Sequence, residues 1–338
     1  QGAAAASIIQ QTGQALYAAL FPATLAKLWE RTLEELSPAD GLRLRLQIEP
    51  AILNLLPWEL AFNGDYLGLH LRHPTIRFVA LPQAPQALRF KLPLRVLIAG
   101  PRNPSSIDVK AQIGAIRSAL AQLPARFEVD VLQPATRQQL SAALRQGYHL
   151  LHFIGQDRFA AGMGYLILDG DPDGADPISS QQLGHMIAGS SVRLVILNAC
   201  EPAASTSPRT FNSVAHQLVR RGIPAVIAMQ QPVAQDSLFA FGHEFYGALA
   251  DGWPVDAAVQ EGRRGIVSMQ GDKWNQAADW AIPTLYTATP DGRILQASPD
   301  QGAQTIQRPR PTSMVSYSTN FHGDVHGPVH TGGGDIRV

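Results

Sequence analysis

The chain predicts an α/β protein built on a mostly parallel sheet, and two observations carry that prediction. From Pro93 to about Ser298, short continuous apolar runs alternate with amphipathic stretches, the pattern of strands buried on both faces and joined by crossover helices. Hydrophobic residues make up 45% of the 338 and charged residues 16%, which supplies enough apolar side chain for a large core.

Taken in order, Ser7 to Leu36 places Leu16, Leu20, Leu25, Leu28, Leu33 and Leu36 at helical spacing, broken at Pro22 and ended by Ser37-Pro38. Leu42 to Ile48 alternates leucine with Arg43, Arg45 and Gln47, which predicts a strand with one wet face. In Leu55 to Phe62, Pro57 opens a helical turn, Trp58 is expected as a core anchor and Glu59 as the partner of a buried arginine. Asn63-Gly64-Asp65 turns the chain, Tyr66–His70 and Ile76–Ala80 read as short strands, and Pro82–Gln86 reads as a linker.

Seven further strands are expected at Leu94–Ala99, Phe127–Leu132, His149–Ile154, Tyr165–Leu168, Leu194–Ala199, Ala225–Met229 and Thr284–Thr287. Helices are expected between them at Val109–Leu123, Arg137–Gln146, Ser180–Ala188, Ser213–Arg221, Ser237–Ala250 and Val255–Met269. After Ser298 the core signal stops. Asp300–Met314 is polar and proline-rich, and the end repeats His and Gly at a four-residue rhythm through His322, His326 and His330. The division is therefore an amino-terminal helix and β-hairpin part over 1–82, an α/β core over 93–298, and a linker with a Gly/His-rich tail over 299–338.

Several function classes drop out. Lys+Arg 27 against Asp+Glu 27 leaves no net charge, so neither nucleic acid nor an anionic membrane is expected as partner. No uncharged apolar stretch is long enough to span a bilayer, and the start carries no basic, apolar leader. One cysteine excludes an internal disulfide, which suits a reducing, cytoplasmic setting. The chain starts at Gln1 rather than Met, as a piece of a longer protein would. Gly100–Pro104 lacks the Lys-Ser/Thr of a phosphate loop. Asp169–Gly174 begins like a calcium loop, yet Ser180 stands where a bidentate Glu belongs, so an acidic surface turn is the simpler reading. Without a second ligand cluster the tail histidines do not make a metal site, and no cofactor is expected.

In parallel α/β sheets, sites form beyond the carboxyl ends of strands. Two expected strands end suggestively: Leu150–Asp157 contains His152-Phe153-Ile154-Gly155-Gln156-Asp157, and Leu194–Cys200 ends in Leu197-Asn198-Ala199-Cys200-Glu201. With Leu56-Pro57-Trp58-Glu59-Leu60 upstream, and Gly222–Met229 and Phe245–Leu249 downstream, these motifs resemble the CHAT family of caspase-like cysteine peptidases over about Leu42 to Leu285. The resemblance implies a caspase-like three-layer sandwich with Cys200 at the nucleophile position.

In the family the second motif continues with a catalytic histidine and a glycine whose N–H serves the oxyanion hole. Here those positions are Gln156 and Asp157. A glutamine amide does not titrate and cannot move a proton. Asp157 adds negative charge where negative charge would develop. Pro202, soon after Glu201, removes another N–H just past the nucleophile position.

His152 is expected as a framework residue, roughly 13 Å back along an extended strand from Gln156. It is also the first candidate for a substitute base. No motif brings His149, His185, His216 or His243 near Cys200. Asp236 is either a helix N-cap for Ser237–Ala250 or, with His152 and Glu201, part of a peptide-binding surface. The expectation is a pseudoprotease acting as a peptide- or protein-binding regulatory module of bacterial-type signalling. The alternatives are an active cysteine endopeptidase using Cys200 with a non-standard base, and a ligand or metal sensor. An edge strand near Thr284 would admit a homodimer.

Overall fold

The computed structural model describes residues 2–37, 40–48, 52–102, 109–160, 163–170, 174–199 and 211–298, together with the strand backbone of 313–320 and 336–337. The elements, in order, are α1 (Gly2–Leu20), α2 (Ala23–Glu35), β1 (Asp40–Gln47), β2 (Thr75–Phe78), β3 (Leu88–Phe90), β4 (Leu94–Ala99), α3 (Val109–Ala121), β5 (Phe127–Leu132) and α4 (Arg137–Leu144). They continue with β6 (Leu150–Ala160), β7 (Met163–Asp169), β8 (Ala175–Ser179), α5 (Ser180–Ile187), β9 (Leu194–Ala199), α6 (Phe211–Arg220), β10 (Ala225–Met229), α7 (Gln235–Ala250) and α8 (Val255–Gln270). The last strands are β11 (Pro283–Thr287), β12 (Leu295–Ala297), β13 (Ser313–Asn320) and β14 (Ile336–Arg337).

One sheet runs β14-β13-β1-β2-β11-β10-β9-β6-β4-β5. It is two parallel blocks back to back: β5 to β10 run one way, β11 to β14 the other, and the β10–β11 ladder is the antiparallel seam. Strand alternation sorts the core into two layers. Leu150, Ile154, Leu194 and Ile196 face α3, α7 and α8, with Leu16 of α1 and Trp29 of α2 joining that cluster. Leu151, Phe153, Val195 and Leu197 face α4, α5 and α6. The expected α/β class with helices on both faces is therefore the fold observed.

Several sequence readings are corrected. β1 has no wet face: Arg43 and Arg45 are 2% and 3% exposed. Arg43 is paired with Asp256 and donates to the carbonyls of Pro290 (3.1 Å) and Asp291 (2.9 Å), and the Arg45 guanidinium lies 4.7 Å from the Phe78 ring centre. Tyr66–His70 is not a strand but a 3-10 turn at Leu67–Leu69. β1 and β2 pair in parallel, so no hairpin joins them, and β2 pairs directly with β11 of the core. The strand at Thr284 is interior, between β10 and β2, which removes the edge on which a homodimer was expected. The reading of Asp300–Met314 as linker meets β13 at Ser313; residues 299–312 lie outside the described residues, as do His322, His326 and His330.

Leu-Pro-Trp-Glu-Leu forms a 3-10 turn at Trp58–Leu60. Trp58 is buried and its indole N–H donates to the Leu53 carbonyl at 2.8 Å. Glu59 has the buried arginine it was expected to have. Arg77 donates to it twice, at 3.2 and 2.9 Å, and also to the carbonyls of Asn54 (3.1 Å) and Leu56 (2.8 Å). Burial works against the Arg77 charge, but Glu59 outweighs it and the guanidinium pKa is raised. Arg263, also buried, donates to the carbonyls of Gly68 (3.2 Å) and Pro283 (2.6 Å). Without a directly bonded carboxylate, burial lowers its pKa to about 10.

Candidate functional site

The candidate site lies at the adjacent carboxyl ends of β6 and β9. Their ladder is parallel and continues to the pair Gly155–Ala199, the residues that precede Gln156 and Cys200 in sequence. Cys200 and Glu201 lie outside the described residues.

β6 does not end at Ile154, where the expected strand His149–Ile154 ended. It runs on to Ala160, leaving the parallel sheet and pairing antiparallel with β7, with Gln156 opposite Ile167 and Asp157 opposite Leu166. β7 pairs in turn with β8, making a three-stranded arm. Tertiary pairing overrides the weak strand propensity of these residues. Gln156 is half-buried and Asp157 is 8% exposed. By alternation Gln156 shares the face of His152 and Ile154, while Asp157 shares that of Phe153. Gly155 has a packing reason of its own: a Cβ there would stand 2.6 Å from the Phe153 ring.

His152 is 2% exposed, on the face covered by α3 and α7. Its Nδ1 lies 2.9 Å from the Tyr246 hydroxyl of α7. Burial pushes the imidazole pKa down to about 4, so the ring is neutral near pH 7; Asn198 acts weakly the other way. Neither His152 Nε2 nor Asn198 Oδ1 meets a partner in hydrogen-bond geometry among the described residues. The Asn198 amide N–H reaches Gln112 Oε1 of α3 only at 3.5 Å, a weak contact. Burial also raises the Tyr246 pKa, so its hydroxyl stays protonated.

Asp236 is exposed, in the first turn of α7. The cap expected of it is not formed, because the helix begins two residues earlier than expected, at Gln235, and Ala234 is the N-cap. The acidic turn closes the β7–β8 hairpin, with Gly170 N–H donating to the Gly174 carbonyl at 2.6 Å; residues 171–173 lie outside the described residues. Its flanking carboxylates have protein partners. Asp169 accepts backbone N–H groups of Arg102 (3.2 and 3.1 Å) and Ala135 (3.0 Å), and Asp176 takes a bidentate pair from Arg137 (2.9 and 2.6 Å). Hydrogen bonding to Arg137 holds the Asp176 carboxyl below its usual pKa. Among the described residues no cluster of His, Cys, Asp and Glu is suited to a metal ion, and no helix is long and apolar enough to cross a membrane.

The sequence reading gave no role to Tyr246, Asn198 or Gln112. The available signal was Asn198 itself, a polar residue inside the apolar run Leu194–Ala199, since a buried amide needs partners.

The profile of the CHAT domain matches residues 10–288, and the chain belongs to that family. No curated protein matches the sequence. Among solved structures the chain is similar to the arginine-specific cysteine proteinase gingipain R, with TM-score 0.47 and 11% identity over 86% of this chain and 74% of that one. It is also similar to the complex of the Porphyromonas gingivalis RgpB pro- and mature domains, with TM-score 0.49 and 12% identity over 86% and 76%. The Saccharomyces cerevisiae separase–securin complex gives TM-score 0.37 and 16% identity over 69% of this chain and 14% of that one.

Proposed function

We propose that this CHAT domain is a pseudoprotease, a binding module that holds an extended peptide or protein segment at a cleft once used for cysteine chemistry. The observation that carries the reading is the Gln156-Asp157 pair. It occupies the base and oxyanion-loop positions of the family motif, and it lies in a β ladder with β7. A cysteine hydrolase needs a base to hold the thiolate and an acid to protonate the leaving amine. Glutamine supplies neither, and Asp157 opposes the oxyanion. His152 is a poor substitute base, being buried and bonded to Tyr246. Cys200, Glu201 and Asp236 belong to this reading as the residues expected to meet the bound segment, and the setting is the cytoplasm.

The test is the pH dependence of Cys200 alkylation in the wild type and in Gln156→His/Asp157→Gly. The wild type should behave as an ordinary thiol, its rate rising toward a pKa of about 8.5. The double variant should react at lower pH, through an imidazole that stabilises the thiolate. A wild-type thiol that already alkylates fast near about pH 6 would establish the rival reading, an active endopeptidase with a non-standard base.

A further inference from the structure

Four polar side chains interrupt an otherwise apolar layer directly behind the carboxyl ends of β6 and β9. His152 and Asn198 stand on neighbouring strands among Leu150, Ile154, Leu194 and Ile196. Tyr246 and Gln112 reach them from α7 and α3. His152, Asn198 and Gln112 are 2%, 2% and 6% exposed. Burying such groups costs free energy that leucine at the same positions would not.

Directionality follows from the partners. The only described partner of the Tyr246 hydroxyl is His152 Nδ1. If Nδ1 carried the proton, the hydroxyl hydrogen would be buried without an acceptor, so the hydroxyl donates and Nδ1 accepts. The imidazole proton is then on Nε2, toward Asn198. Asn198 directs its N–H toward Gln112 at 3.5 Å, which leaves Oδ1 as an acceptor with no partner in hydrogen-bond geometry among the described residues. Tyr246, His152, Asn198 and Gln112 thus stand in sequence on four elements, with one firm bond at Tyr246–His152 and one long contact at Asn198–Gln112.

We propose that His152 is a positioning residue which, as a neutral Nε2–H imidazole locked by Tyr246, orients Asn198 and so fixes the carboxyl end of β9, the strand that leads into Cys200. The inference rests on reading Cys200 as the old nucleophile position. It assigns the first histidine of the motif to holding the cleft in shape rather than to proton transfer.

Two readouts test it. Histidine ¹⁵N spectra, assigned with His152→Gln, should show His152 as the Nε2–H tautomer at neutral pH, and Tyr246→Phe should move it toward a mixture. The Cys200 alkylation rate should change about threefold or more in Tyr246→Phe and His152→Leu, the scale of one lost hydrogen bond. His152→Gln should recover most of it, because its amide accepts from Tyr246 and donates to Asn198. An Nδ1–H tautomer, or wild-type rates in Tyr246→Phe and whichever His152 variants fold, overturns the proposal. Because variants are judged against the wild type, a fast wild-type thiol would sink the pseudoprotease reading and leave this one standing.

Discussion

The amino-terminal half of the sheet and the layer behind the carboxyl ends of β6 and β9 treat buried polarity in opposite ways. Around β1 and β2 the buried groups are charged and closely matched: Arg43 with Asp256 and two carbonyls, Arg77 with Glu59 and two carbonyls. Behind the ends of β6 and β9 they are neutral and thinly matched, with His152 held by one firm bond and Asn198 by one long one. Full charge pins segments that share no regular hydrogen-bond ladder, such as the turns at Leu53–Leu55 and Trp58–Leu60. Neutral groups suffice where strands already fix the backbone, and only a side chain's orientation is left to decide.

The sharpest way to break this contrast is to unpair a charge. Glu59→Gln should destabilise the fold by about 3–5 kcal/mol in urea unfolding, because Arg77 stays buried without its counterion. Adding Arg77→Met should recover much of the loss; a single variant within 1 kcal/mol of wild type, on the scale of about one neutral hydrogen bond, would erase the distinction. Next in size, Gly155→Ala should cost about 1–3 kcal/mol by driving a methyl into the Phe153 ring. The same substitution at Gly174, where a Cβ meets nothing within 4 Å, should do little.

The most gradual effect is the pH dependence of stability. His152 has its folded pKa lowered from 6.5 to about 4, so between those values the unfolded chain binds more protons. Stability should therefore fall as pH drops from about 6.5 to about 4, by at most about 1.4 kcal/mol per unit from this residue. His73, lowered to about 4 chiefly by burial, adds in the same direction. His152→Gln should flatten the slope; an unchanged slope would place the dependence elsewhere.

The core was legible in the sequence because strands buried on both faces leave continuous apolar runs. The expected bounds of β9 and β10 agree with those observed. What escaped depends on partners. Leucine–arginine alternation in β1 reads the same whether the arginine meets water or Asp256. β8 went unseen because Pro177 argues against a strand, yet it pairs with β7. The continuation of β6 through Gln156 and Asp157 depends on β7, and the interior place of β11 depends on strand order, which no local pattern encodes. At the candidate site, the motifs singled out Gln156, Asp157 and His152, whereas the Tyr246 contact spans 94 positions and leaves no local trace.

The join between β2 and β11 has a practical consequence. Tyr286 pairs with Arg77 and Thr287 with Phe78 in one unbroken ladder, so the break in texture near Pro82 is not a line along which the molecule divides. A fragment starting at Pro93 would bare the backbone of β11 at Tyr286 and Thr287 and strip Asp256 of its arginine. Such an edge invites association with any extended chain it meets, so the fragment should aggregate where the longer chain stays dispersed.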